Sequence, residues 1–336
     1  LEARRQGGDP VAIVGYADGV QVFLPLILRR FPLDAGSSRV ILDATSPYGY
    51  CPPIVSAGAA SSREAGARAI TAAIEGLKSL GACCAFIRMH PLLPTPPWAL
   101  ESCGTLVTHG PTVYIDLRLS DEEIRRQTRP SDRANLRRLV GDGFVARVDE
   151  GWTRFDDFLR IYRETMARVG ASPDYYFEDR YFQDLRVALG TSLSLIVVEK
   201  GDDAAAAGLF TETCGIVQFH LSGTDEAFRE DAPSRLMLDF ATKWAKDRGN
   251  RWFHLGGGLG GRTDSLFGFK AGFSKLRGNF STWRIVTSPE TYADAVRAWR
   301  TRYGAAAEPG DAYFPAYRSP APAVTDSTDS RRRVDR

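Results

Sequence analysis

Between Leu193 and Gly223 three apolar runs follow one another, and no other stretch narrows the possible folds as much. They read LSLIVVE (193–199), AAAGLFTE (205–212) and GIVQFHLSG (215–223). Each has strand length, and the turn pairs Gly201-Asp202 and Cys214-Gly215 stand between them. Connections that short make the three runs a strand meander. Helical spacing comes next. Met237, Phe240, Ala241 and Trp244 share one face of a segment from Pro233 to Arg248. RWFHL (251–255) then returns to strand character, Asp264 to Phe269 reads as a short helix, and STWRIV (281–286) as a last strand.

The first part of the chain has the same order. VAIVGY (11–16) and VQVFLPLIL (20–28) flank Asp18-Gly19, a hairpin turn. RVILDA (39–44) is a third strand. Ser61 and Glu64 form a capping box ahead of Ile70, Ile74 and Leu77, which recur at helical spacing until Gly81. CCAFIRM (83–89) follows as a buried strand. Around Leu117 a second unit begins, with another capping box at Ser120 and Glu123 and an apolar helix stripe of Phe155, Phe158, Leu159, Tyr162 and Met166. Meander, helix, strand, twice over, predicts an α/β (α+β) chain of two related mixed-sheet domains. We set them at 1–117 and 118–288, with a C-terminal helix over 289–318 and a disordered tail over 319–336 that lacks apolar periodicity.

Composition removes several classes. No apolar run reaches the roughly 18 residues of a membrane span. The 43 basic and 41 acidic residues leave a net charge of +2, far from a nucleic-acid coat but compatible with a small RNA contact. Cys51, Cys83, Cys84, Cys103 and Cys214 have no zinc spacing, and an odd number argues against a disulfide framework. The expected setting is a reducing cytoplasm, with Cys83-Cys84 as buried small apolar residues. The first residue is Leu1 and no signal-peptide pattern follows it.

The loudest local motif is HLGGGLGG (254–261), with G-x-G-x-x-G at Gly256, Gly258 and Gly261. A dinucleotide site needs an acidic residue about 20 positions on, and FSTWRI offers none there. The glycines read instead as close backbone approach or a tight turn. RTDSLFGFKAGFS (262–274) follows, in which Lys270 stands between Phe269 and Phe273. A lysine among rings is partly desolvated and acts strongly on a nearby oxyanion. Its other reading is a surface lysine whose stem covers the rings.

HLGGGLGGRTDSLFGFKAGFSK resembles the C-terminal signature of the FemABX-like transferases and their GNAT relatives. TSPYGY (45–50) resembles their first-domain loop, FIRMHPLL (86–93) a strand ending in Arg-x-His-Pro-Leu, and RPSDRANLRRL (129–139) the helix that opens their second domain. YRETMARVGASPDYYF (162–177) is similar to their Tyr-x-x-Thr-Met-x-Arg segment. The matches keep family order from Thr45 to Lys275.

The resemblance implies two GNAT-like domains in tandem and an enzyme that moves an amino acid from the 3′ end of aminoacyl-tRNA to an amine, forming a peptide bond without a cofactor or metal. The acceptor would be a peptidoglycan precursor or a peptidyl secondary metabolite such as an antibiotic, peptide-, nucleotide- or carrier-linked. The protein would act as a monomer. Lys270 takes the catalytic place, stabilising the oxyanion or leaving oxygen, with Phe269 beside it. Arg168 and Tyr176 fall in the segment that holds the acceptor. His220 matches an often aromatic strand position, or is a core histidine. Tyr48 and Tyr50 line the cleft or pack the loop. Arg88 binds a carboxylate or phosphate, or makes a structural ion pair. Asp264 orients Lys270 or Arg262, or caps the short helix. Arg125, Arg126, Arg129, Arg133, Arg137 and Arg138 form a solvated helix face or a phosphate contact. The rival donor is acyl-CoA, whose pyrophosphate loop carries glycines before the long helix; TDEAFREDAPSRLM (224–237) has none.

Overall fold

The computed structural model describes residues 1–33, 39–56, 63–93, 95, 97–304 and 313–320. In chain order its elements are α1 (Glu2–Arg5), β1 (Gly8–Ala17), β2 (Val20–Pro32), β3 (Val40–Thr45), β4 (Ile54–Val55), α2 (Arg63–Ser79), β5 (Ala82–Arg88), α3 (Pro97–Glu101) and β6 (Thr105–Asp116). Then come α4 (Asp121–Gln127), α5 (Pro130–Gly141), β7 (Phe144–Val148), α6 (Phe155–Arg168), α7 (Asp179–Leu189), β8 (Leu193–Lys200), β9 (Asp203–Thr213) and β10 (Ile216–Thr224). The chain continues through α8 (Ser234–Asp247), β11 (Trp252–Gly256), α9 (Ser265–Lys270), β12 (Arg277–Val286) and α10 (Pro289–Tyr303).

Contacts divide the chain into an N-terminal unit, Glu2–Thr108 with Ser281–Arg336, and a central unit, His109–Phe280 with Leu1. The boundaries fall inside β6 and β12, where the sequence reading set them at 117/118 and 288/289. A strand that changes units partway has no turn residue to mark the change.

In the N-terminal unit β1 and β2 form an antiparallel hairpin closed by Ala17 opposite Val20. Asp18 and Gly19 both take positive φ, 47° and 80°, as a primed turn requires. β3 pairs antiparallel with β2 and parallel with β5, and α2 links that parallel pair. Ala65, Ala69, Ile70, Ala73 and Leu77 of α2 are buried against Val22, Leu24 and Leu26 of β2 and Ile87 of β5 in one core. Ser61, the expected cap of α2, lies outside the described residues. A second core joins Cys83 and Cys84 to Ala295 and Trp299 of α10 and to Tyr317. Phe314 and Tyr317 thus pack with the N-terminal unit. Of the expected tail, Ser319 accepts a hydrogen bond from Trp299 Nε1 at 3.0 Å, and 321–336 lie outside the described residues.

The central unit repeats the arrangement. β7–β8, β8–β9 and β9–β10 pair antiparallel, β10 pairs parallel with β11, and β11 pairs antiparallel with β6. α8 links the parallel pair β10–β11 as α2 links β3–β5. The apolar stripe of α6 buries Phe158, Leu159, Ile161 and Tyr162. Removing such a side chain from water is worth roughly 1.5–3 kcal/mol. The capping box at α4 is complete: Ser120 Oγ accepts from Glu123 N, and the Glu123 carboxylate accepts from Ser120 N at 2.9 Å.

Candidate active site

β10 and β11 stay paired for three rungs only, Ile216 with Trp252, Val217 with Phe253 and Gln218 with His254. β10 then continues to Thr224 with no β11 residue opposite. Both strands shift register on their other sides at this level. β10 has a bulge against β9 between Phe219 and Leu221, which makes His220 the extra residue. β11 shifts against β6 between His254 and Gly256. Bulges of this kind re-aim side chains and end pairing. The last rung is clamped by its side chains, with His254 Nδ1 and Gln218 Oε1 2.5 Å apart and His254 fully buried.

Past that rung stands Lys270. It is the last residue of α9 and is 9% exposed. Its Nζ donates to Gly257 C=O at 2.8 Å, one residue beyond β11, and lies 5.9 Å from the centroid of the Phe219 ring, one residue beyond the last rung on β10. No carboxylate of the described residues makes an ion pair with it. Burial pushes its pKa down to about 8, against a smaller upward pull from the Asp264 charge. The ammonium is still the main form at neutral pH.

Asp264 fixes α9. As its N-cap it accepts from Phe267 N and Leu259 N, both at 2.9 Å. Burial would raise this carboxyl, but those N–H groups and the Arg262 charge outweigh it and hold the pKa below the ordinary carboxylate range. Of the two readings of Asp264, the cap is present and its charge also supports Lys270. Arg262 donates to Leu259 C=O at 3.2 Å. The glycine loop lies against β6 so closely that a Cβ on Gly110 would come within 1.8 Å of Gly261 C=O. His109, Gly110, Pro111, Leu259 and Gly261 to Ser265 line an open groove of about 740 Å³ on this side.

The other expected residues are dispersed. Phe269 is partly buried and packs against the core, 5.7 Å from the Phe273 ring with Arg235 over it. Arg168 lies where β10 ends, donating to Thr224 C=O at 3.2 Å and to Thr165 Oγ1 at 3.1 Å and pairing with Glu226 at 2.7 Å. Tyr176 is 49% exposed, just after a 3₁₀ turn. Tyr48, Tyr50 and Arg88 belong to the N-terminal unit. Arg5 lies over the Tyr48 ring, and Tyr50 meets His90 edge-on at 5.7 Å. Among the arginines from Arg125 to Arg138, Arg129 and Arg133 donate to main-chain carbonyls and Arg138 pairs with Asp142 and Asp231, so half of that run pins the helices. Gln218, His254 and His109 were not singled out by sequence. Gln218 and His254 did carry a signal, as polar residues inside apolar strand runs. Among the described residues no group of His, Cys, Asp or Glu could hold a metal ion.

Residues 124–264 match the family described as acetyltransferase (GNAT) domain. That stretch is similar to a GNAT domain, and it lies within the central unit. Among solved structures it is similar to FemX, at 14% identity and a TM-score of 0.66, over 87% of this chain and 92% of FemX. It is also similar to the C-terminal domain (DUF2156) of a putative lysylphosphatidylglycerol synthetase from Agrobacterium fabrum, at 14% identity and a TM-score of 0.54, covering 87% and 88% of the two chains. A third is L-PGS from Bacillus licheniformis, at 13% identity and 0.52, covering 88% and 94%. A search of curated proteins finds no match. The FemX-like GNAT fold expected from the sequence is therefore present, and the strand opening with Lys270 lies in the unit that holds the GNAT match. No helix of the described residues is long and apolar enough to cross a membrane.

Proposed function

We propose that the protein transfers an aminoacyl group from aminoacyl-tRNA to the amine of a peptide-like acceptor in the cytoplasm, where charged tRNA resides. The observation that carries this reading is the buried ammonium of Lys270, without a carboxylate partner, beside strand main chain that lost its neighbour. In the proposed reaction the acceptor amine attacks the ester carbonyl carbon. The N–C bond forms, the carbonyl oxygen takes the electron pair, and the Lys270 ammonium neutralises it. The ester C–O bond then breaks, and the proton lost by the amine ends on the ribose oxygen. A preorganised cation in a dry site is worth far more to such an oxyanion than one in water. The open edge of β10 supplies N–H and C=O groups that suit an amide-bearing substrate. Arg262 and Asp264 border the groove; His220 on β10, Arg168 where β10 ends and the exposed Tyr176 are candidate acceptor contacts. Tyr48, Tyr50 and Arg88 are the candidate contacts of the N-terminal unit.

The turn between β10 and α8 speaks against acyl-CoA as the donor. It is a 3₁₀ turn over Glu226–Asp231 without a glycine. The first N–H groups of α8 are spent within the turn, Arg235 N donating to Ala232 C=O at 3.1 Å and Leu236 N to Pro233 C=O at 2.9 Å, so a diphosphate would not find them free. The test of Lys270 is a transfer assay with a charged tRNA pool and a panel of amine acceptors, products read by mass. Lys270→Met should fold and lose about 10²-fold or more in turnover. A folded Lys270→Met protein with near wild-type turnover removes the lysine from the reaction.

A further inference from the structure

The N-terminal unit holds a cation that its own residues leave uncompensated. Arg88 ends β5, and its main-chain N–H donates to Ser46 Oγ at 3.0 Å. Its Nη1 donates to Ser46 C=O at 3.1 Å and, more loosely, to Thr45 Oγ1 at 3.4 Å. The guanidinium lies 5.0 Å from the centroid of the Phe86 ring. Every one of these partners is neutral. Asp43, two residues before Thr45 on β3, is already engaged by Arg29 Nε at 2.8 Å, Arg318 Nε at 2.5 Å and the Tyr317 hydroxyl at 3.0 Å. Among the described residues no carboxylate makes an ion pair with Arg88, and its side-chain hydrogen bonds are made by Nη1 alone, which leaves Nε and Nη2 for another acceptor.

A largely buried guanidinium without a counter-charge is costly to keep. Burial first, and then the like charge of Arg29, push its pKa down, while Tyr48 and Glu2 pull the other way. The nearby groups cannot serve as the missing anion. Burial holds the His90 pKa at about 4, so His90 is neutral near pH 7. Burial also raises the Cys51 thiol against the pull of Arg88. Glu2 is occupied by Arg5 at 3.0 Å. What the place lacks is one negative group, and the free Nε–Nη2 edge fits two oxygens side-on.

We propose that Arg88 anchors an oxyanion site in the N-terminal unit, taking a carboxylate or phosphate group of a ligand side-on through Nε and Nη2. The proposal deepens the place given above to Arg88 as a candidate contact, and its test reads binding alone, so its failure is distinct from a failure of the transfer reaction.

The test titrates the full chain with acetate and, separately, with inorganic phosphate, holding ionic strength constant with chloride. Melting temperature and calorimetric binding are read. At least one oxyanion should raise the melting temperature of wild type above the chloride control, and the larger shift names the group. Arg88→Met should bind it about ten-fold more weakly or worse. Without ligand it should melt no lower than wild type, because it removes an uncompensated cation. Arg88→Lys, which keeps the charge and loses the fork, should fall between the two. The proposal is overturned if neither oxyanion shifts wild type beyond chloride, or if the shift persists in Arg88→Met. It is overturned equally if Arg88→Met and Arg88→Lys both unfold with no ligand present, which would make Arg88 a structural cation.

Discussion

Keeping the charge of Lys270 buried costs the fold stability. Its pKa of about 8 lies below the 10.5 of a free lysine because the folded protein strips its water. Between those values the unfolded chain binds a proton that the folded chain does not, so this group's contribution to stability rises with pH across that window. Below about 8 the penalty is present in full, and it amounts to about 3 kcal/mol by linkage. The hydrogen bond to Gly257 C=O returns about 1 kcal/mol of it. Lys270→Met should therefore melt no lower than wild type at pH 7 while losing activity, and a melting temperature well below wild type would contradict the desolvated-cation account. The same pKa sets a pH profile. Transfer that depends on the ammonium falls as pH rises through about 8, and the residual activity of Lys270→Met lacks that falling limb. The lysine and its neighbours were legible in the sequence because the signal is local: two rings and a glycine loop within a few residues. That Phe269 faces the core was not legible, since a six-residue helix does not declare which of its faces is covered.

At the scale of elements, α9 is the device that holds the lysine, and Asp264 is its cap. Asp264→Ala loses the acceptor for Phe267 N and Leu259 N and should cost about 1–2 kcal/mol. Asp264→Asn should recover most of that stability, since Asn caps as well as Asp. It removes the charge that supports the ammonium, so the falling limb of the pH profile should move to lower pH. An unchanged limb in a stable Asp264→Asn protein would restrict Asp264 to a capping role. The strands, the Asp18-Gly19 hairpin and the α4 capping box were readable because each rests on contacts within a few residues. The end of β10–β11 pairing at Gln218 and His254 was not. It depends in part on the register shift of β11 against β6, which lies far earlier in the chain, and no local pattern encodes where two strands part. The joining of α10 and Tyr317 to the N-terminal unit was hidden for the same reason, since Asp43 and Tyr317 are 274 residues apart.

For the whole molecule, each unit carries a parallel strand pair linked by a helix, and only the central unit places a buried lysine beyond the last rung of that pair. The donor is the claim on which the functional account turns. Of the six arginines from Arg125 to Arg138, Arg126, Arg129, Arg133 and Arg138 make internal contacts, so few phosphate contacts remain for tRNA. Transfer should weaken only modestly with salt, by about one log unit in affinity per contact for each log unit of salt. A steep dependence would point to a larger RNA-binding face than this one. The most direct measurement incubates the wild-type protein with a charged tRNA pool and amine acceptors, with and without RNase, and in parallel with acyl-CoA, and reads acylated product by mass. The account predicts product from charged tRNA, none after RNase and none from acyl-CoA. Product that survives RNase and is sustained by acyl-CoA would contradict it.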